Sequence, residues 1–213
     1  NVFELNVYRN FLYYLIKLIK PKNIIETGVF HGLTSLWILQ ALEENSYGTL
    51  TSIDLPRRDW DKFFPGRPMG GGHQGEDELP SDCNPGWIVP AKLRDRWRLM
   101  IGPSEKLLDE ALEGLEVDLF IHDSDHSYET MKFEVETVLK KNNECFLVID
   151  NFDHSNFIYE FLSKNIVTPI FINDIDEFND IAARFALIKM GNFESSHERW
   201  NAQIEAREKN SQK

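Results

Sequence analysis

Two cysteines in 213 residues, Cys83 and Cys145, are too few for a disulfide framework. Cys83 sits in a Pro/Gly-rich stretch and Cys145 opens an apolar run, so both read as reduced thiols of a cytoplasmic protein. No apolar run approaches the roughly 20 residues a membrane span needs, which excludes helical insertion in a bilayer. Basic side chains are scarce: 23 Lys and Arg stand against 35 Asp and Glu, a formal charge of −12. A surface that negative repels phosphate backbones and anionic membranes, so nucleic acid and membrane are not expected partners. The first residues, Asn1-Val2-Phe3, carry neither an initiator methionine nor a signal-peptide layout, which leaves a trimmed N-terminus and a removed leader open. What is present is globular in kind: 42% hydrophobic, 12% aromatic and 27% charged residues, at a length suited to one domain.

Helical and strand patterns alternate along that domain. Apolar residues recur at helical spacing over 3–19, and Pro21 ends the run. Strands are expected at 23–27, 50–55, 98–101, 117–122 and 146–149, with helices at 33–44, 105–112 and 128–140 between them. The fifth run is apolar almost throughout, as befits a strand covered on both faces. Two further strands are expected at 167–172 and 184–190, with a short helical stretch around 176–181. Strands separated by helices of this length give right-handed crossovers and a parallel sheet. The fold class is therefore α/β, a Rossmann-like doubly wound sheet with helices on both faces. A Pro/Gly-rich stretch at 56–95 interrupts it, carrying Trp60, Phe63, Phe64 and Trp87. Its length and aromatics suggest a lid that closes over an apolar or sugar-like ligand, or a satellite core that holds the loop together. The 197–213 tail reads as a solvated charged helix. Helix 3–19, with Phe11, Tyr13, Tyr14 and Leu15 nearly all round, either covers the sheet edge or meets a second copy of the chain.

The first strand ends in Glu26-Thr27-Gly28-Val29-Phe30-His31-Gly32. Gly28 permits a sharp turn and Gly32 permits close backbone approach at a helix N-terminus. Asp54 follows at the end of the second strand, where an acid accepts hydrogen bonds from ribose hydroxyls. Val29, Phe30 and His31 occupy positions that a pyrophosphate-binding turn keeps small, which argues against a dinucleotide. Glu26 favours a cationic ligand. At the same sheet edge lie Asp123, Asp150 and Asn151, oxygen ligands of the kind that suit Mg²⁺. The competing reading of Asp123 and Asp125 is as helix caps.

Together these segments resemble class I S-adenosylmethionine-dependent methyltransferases. ETGVFHGLTS (26–35), GWIVPAKLRDRW (86–97), FIHDSDHSYE (120–129) and VIDNF (148–152) are similar to the small-molecule O-methyltransferases of the macrocin and cephalosporin-hydroxylase-like kind. The resemblance implies a seven-stranded, mostly parallel sheet closed by a C-terminal antiparallel hairpin. It implies a donor site formed by Glu26 near the methionine ammonium, Gly28, Phe30 and Gly32 beneath the donor, and Asp54 on the ribose. Ser104 would lie near the adenine and Asp123 beside the donor. It also implies a metal held by Asp123, Asp150 and Asn151, as in catechol-type O-methyltransferases.

The chemistry expected of such a site is alignment of an acceptor hydroxyl with the activated methyl group, with a cation lowering the hydroxyl's pKa. His126 is the candidate base and His154 the second; His122 packs or pairs within its strand, His31 shapes the cofactor turn, His73 sits in the insertion without an assigned role, and His197 belongs to the tail surface. The acceptor is expected to be a small molecule. Two rivals remain: a module that binds S-adenosylmethionine without turnover, and an NAD(P)-dependent oxidoreductase or epimerase on a similar sheet. Hydroxylase chemistry has no compact two-His-one-carboxylate set in the sequence to support it.

Overall fold

Alternate burial on two faces builds the sheet. In β1 (Asn23–Thr27) every residue is buried, yet Ile24 packs into one hydrophobic cluster and Ile25 into another. The same two-residue alternation divides Leu119 and Ile121 from Phe120 in β4 (Leu119–His122). The computed structural model describes residues 7–66, 79–175 and 181–191. Among them, β1, β2 (Thr49–Asp54), β3 (Trp97–Ile101), β4, β5 (Phe146–Asp150), β6 (Ile170–Ile175) and β7 (Ile181–Lys189) form one seven-stranded sheet in the order β3-β2-β1-β4-β5-β7-β6. The first five strands are parallel, and β7 runs antiparallel to both β5 and β6. The expected Rossmann-like sheet with a closing antiparallel hairpin is what the chain forms.

Among the described residues there are six α-helices, α1 (Val7–Ile19), α2 (Leu33–Asn45), α3 (Trp60–Phe63), α4 (Ser104–Ala111), α5 (Tyr128–Lys141) and α6 (Phe157–Asn165), of which the short α3 lies in the insertion. On one face Tyr8, Leu12 and Ile16 of α1 meet Ile38, Leu39 and Leu42 of α2, and Tyr8 and Phe11 pack on Phe185 of β7. Helix α1 thus packs on one face of the sheet, whereas the sequence reading places it at the sheet edge or against a second copy. On the other face Leu108, Met131, Val135, Val138, Phe157 and Ile158 close over Ile25, Phe120 and Leu147. Truncating the fully buried Phe120 to alanine would cost about 3–5 kcal/mol.

Several boundaries differ from the sequence reading. Helix α6 was not expected, although Phe157, Ile158 and Phe161 mark its buried face. Strand β6 begins at Ile170, just after Pro169, rather than at Val167, because proline has no N–H for the ladder. Strand β7 begins at Ile181, so the short helix expected up to that residue does not include it; 176–180 lie outside the described residues. So do residues 1–6, 67–78 with His73, and the 192–213 tail with His197. No helix among the described residues is long and apolar enough to cross a membrane.

Candidate active site

Parallel pairing brings the carboxyl ends of β1 to β5 to one edge, on either side of the reversal in strand order between β1 and β4. Backbone hydrogen bonds carry this alignment into the loops: Gly28 donates to Ile53, Asp123 to Thr27 and Gly102 to Asp54, each at 2.8–2.9 Å. A cavity of about 780 Å³ opens above that edge. Its volume suits a small organic ligand, which pockets of about 300–1,000 Å³ usually hold.

Of the residues singled out in the sequence, Gly28, Phe30, Asp54, Ser104, Asp123 and His126 line this cavity. Gly28 has φ +86°, and a Cβ there would lie 1.9 Å from the Asp123 carbonyl oxygen, so only glycine lets the two loops meet. Gly32 (φ +93°) instead abuts Gly86 of the insertion, 2.5 Å from where its Cβ would be. Asp54 accepts the backbone N–H groups of Val29 (2.7 Å) and Phe30 (3.2 Å). Burial raises the Asp54 pKa, opposed by those two amides.

Glu26 lies beneath the cavity and does not line it. Fully buried, it accepts from Ser52 (2.6 Å) and Ser35 (2.7 Å) through Oε2, while Oε1 has no hydrogen-bond partner. Burial pushes its pKa up to about 7 against the pull of the two serines. The ammonium contact that the resemblance implied would have to come through Oε1.

The acids after β4 and β5 converge with a histidine. Asp123, Asp150 and His126 offer ligand atoms all within 4.8 Å of one another. His126 Nε2 is 4.0 Å from Asp123 Oδ1 and 3.8 Å from Asp150 Oδ2, and no hydrogen bond satisfies it. Metal–ligand bonds of about 2.1 Å allow ligand atoms up to about 4.2 Å apart, and both His126 spacings lie within that limit. Asn151, the third ligand expected from the sequence, turns its amide nitrogen to Asp150 Oδ2 at 2.9 Å, and its backbone takes φ +45°. Burial raises the Asp123 pKa well above the ordinary carboxylate value, with Asp150 and Glu26 adding to it. Asp150 rises to about 6, chiefly by burial. Two acids this close resist losing both protons, and the Arg9 guanidinium from α1, which also lines the cavity, favours their charged forms. His126 is driven down to about 4 by burial and by His122 and His154, whose rings stand 5.5 and 5.6 Å from its own. It is therefore a neutral imidazole at pH 7, the form that ligates metals and accepts protons.

One residue central to this edge went unread in the sequence. Glu134 of α5 is fully buried and accepts from Thr27 (2.6 Å) and His122 Nδ1 (2.7 Å) on Oε2 and from Ser124 (2.9 Å) on Oε1. Ser104 is a further hydrogen-bond partner. Burial opposes its charge, but His122 and these hydroxyls outweigh it and its pKa is lowered. The signal was its place on the stripe Thr130, Met131, Glu134, Val135 and Val138.

The insertion closes the opposite wall. Trp60 and Phe64 pack together with centroids 4.7 Å apart and line the cavity with Leu79 and Trp87. Trp87 donates its indole N–H to His31 Nδ1 at 2.8 Å, while the Gly86 amide donates to the Phe30 carbonyl. Phe63 is turned away, beneath Lys106 and close to Gly102.

A methyltransferase-domain family model matches residues 25–152, from β1 to just past β5. The chain belongs to that methyltransferase family. Solved structures agree on the fold. An O-methyltransferase from Bacillus cereus in complex with SAH superposes with a TM-score of 0.60 at 16% identity, covering 87% of this chain and 82% of the other. An O-methyltransferase from Streptomyces achromogenes involved in tomaymycin synthesis, in complex with SAM, gives 0.59 at 16%, covering 87% and 80%. An rRNA methylase from Streptococcus thermophilus gives 0.51 at 10%, covering 87% and 95%. No curated protein matches this methyltransferase chain in sequence. Family and fold bear out the resemblance read from residues 26–35, 120–129 and 148–152; the acceptor is a separate matter, since one fold serves several.

Proposed function

We propose that this methyltransferase transfers the methyl group of S-adenosylmethionine to a hydroxyl of a small molecule, assisted by a divalent cation. The observation that carries the reading is the opening of Asp123 and His126 onto the same cavity as Asp54 and the Gly28 loop. A donor held at Asp54 and a hydroxyl held near Asp123 would then share one enclosed space, which is what in-line methyl transfer requires. The charge of −12 disfavours an RNA acceptor, even though an rRNA methylase shares the fold. The free thiols Cys83 and Cys145 are in keeping with the cytoplasm, with burial pushing Cys145 up to about 12.

Asp123, Asp150 and His126 are the residues that would hold the cation. Their fit rests on the unsatisfied His126 Nε2 and on two carboxylates whose mutual repulsion a cation relieves. One imidazole in the set suits Mn²⁺, Fe²⁺ or Zn²⁺ at least as well as the Mg²⁺ expected from oxygen ligands alone. When bound, the cation would acidify an acceptor hydroxyl. The protein's own part is to align and to exclude water: Asp54 fixes the loop under the donor, and Trp60, Phe64 and Trp87 enclose the space. With His126 engaged as a ligand and its pKa lowered to about 4, it is a poor proton acceptor, and His154 is the candidate to take the hydroxyl proton.

Calorimetric titration of S-adenosylhomocysteine with and without Mg²⁺ or Mn²⁺ tests this directly. Micromolar binding supports the donor site and leads to a screen of hydroxylated metabolites; a folded sample that binds none overturns it.

A further inference from the structure

Glu134 does more than satisfy buried groups, because three of its partners are walls of the cavity. Thr27 ends β1, Ser104 opens α4 and Ser124 follows β4; all three line the ligand space, and all three hydrogen-bond to one buried carboxylate. A hydroxyl has one proton to give. Thr27 has two acceptors in reach, Glu134 Oε2 at 2.6 Å and the Ile121 carbonyl at 3.5 Å, and the short bond to the carboxylate takes the proton. With their protons directed at Glu134, these hydroxyls turn lone pairs toward the cavity. The ligand edge that fits such a wall carries N–H donors.

We propose that Glu134 is a positioning residue that sets the hydrogen-bond polarity of the nucleoside pocket, so that a hydroxyl of the Thr27–Ser104–Ser124 wall accepts from the 6-amino group of an aminopurine and disfavours the 6-carbonyl oxygen of an oxopurine. The inference rests on the methyl-donor reading above. With ribose at Asp54, the proposal places the base along the part of the cavity that Gly102, Pro103, Ser104 and Ser124 line. Glutamine in place of Glu134 keeps the shape but puts an N–H₂ where an oxygen accepted. One hydroxyl must then accept from it and turn its own proton outward, which reverses the polarity of part of the wall.

The test is calorimetric titration of S-adenosylhomocysteine and its deaminated analogue S-inosylhomocysteine into the wild-type protein and Glu134→Gln. The wild type is expected to prefer the adenosyl ligand about tenfold or more, and Glu134→Gln to shrink that preference by about tenfold, the size of one hydrogen bond. A looser fold alone would weaken both ligands together and leave the ratio in place. Equal wild-type affinities, or a ratio unchanged in Glu134→Gln, overturn the proposal while the donor site stands. No wild-type binding of S-adenosylhomocysteine overturns the donor reading itself. If Glu134→Gln does not fold, the double variant Ser104→Ala/Ser124→Ala serves in its place: a reduced ratio supports the proposal and a retained one overturns it.

Discussion

Asp54 accepts the backbone N–H of Val29 at 2.7 Å, so the acid that ends β2 also shapes the loop that follows β1. Oδ1 takes the Phe30 amide as well, where the backbone adopts a left-handed φ of 51° that a bulky residue holds only under constraint. In the proposed donor site, ribose binding would therefore fall to Oδ2. Asp54→Ala is expected to weaken S-adenosylhomocysteine binding by about 1–3 kcal/mol, since it removes a charged hydrogen bond and frees the loop. Calorimetry measures this, and an unchanged Kd would remove Asp54 from the donor site.

The cation cluster predicts a metal preference. Because one of its three ligand atoms is an imidazole nitrogen, Mn²⁺ should bind more tightly than Mg²⁺. His126→Ala should reduce Mn²⁺ affinity at least about tenfold and narrow the gap between the two ions, because the remaining carboxylates treat them more alike. Titration of each ion into metal-free protein reads both quantities; identical Mn²⁺ binding by the variant would leave His126 outside the metal site.

Much of this was legible because the informative residues sit at strand ends. Glu26, Gly28, Asp54, Asp123 and Asp150 are each tied to a short apolar run, and a parallel sheet gathers such ends on one edge whatever the helices do. Contacts decided by side-chain direction were not legible. Glu134 stands on the helical stripe of Thr130, Met131, Val135 and Val138, unlike Glu129 and Glu136, but which hydroxyls its carboxylate meets is set by the packing of α5 on the sheet. Asn151 shares Asp150's loop and its amide nitrogen lies 2.9 Å from that neighbouring carboxylate, while His126 comes beside the two acids from the β4 loop, a placement its position in the sequence did not show. Helix α6 was readable from Phe157, Ile158, Phe161 and Leu162, but it is short and follows directly on the eye-catching Asp150-Asn151 pair.

Close approach makes one glycine far more sensitive than another. At Gly28 an added Cβ would fall 1.9 Å from the Asp123 carbonyl oxygen, whereas at Gly66, with a similar positive φ of 75°, it meets nothing within 4 Å. Gly66→Ala should therefore cost only the backbone strain, about 1–2 kcal/mol. Gly28→Ala must in addition part the β1 and β4 loops, and several kcal/mol with loss of ligand binding is expected. Urea denaturation of the two variants side by side checks the contrast; equal losses would mean that the loops are not in contact.

Glu26 gives the fold a pH dependence of defined sign. Its folded pKa of about 7 lies above the 4.5 of the free side chain, because burial outweighs the hydrogen bonds from Ser35 and Ser52. The native state thus holds a proton that the unfolded chain has already released between these two values. Its contribution to stability is fully present below about pH 4.5, falls as pH rises toward 7 and stays lost above it. The span amounts to about 3 kcal/mol at 1.36 kcal/mol per pKa unit. Glu26→Gln stays neutral throughout and can still accept from the serines, so its stability relative to wild type should improve from pH 5 to about pH 7 and level off by pH 8. Urea midpoints at both pH values measure the difference, and a wild-type-to-variant gap that does not change with pH would mean that Glu26 is already ionised when buried.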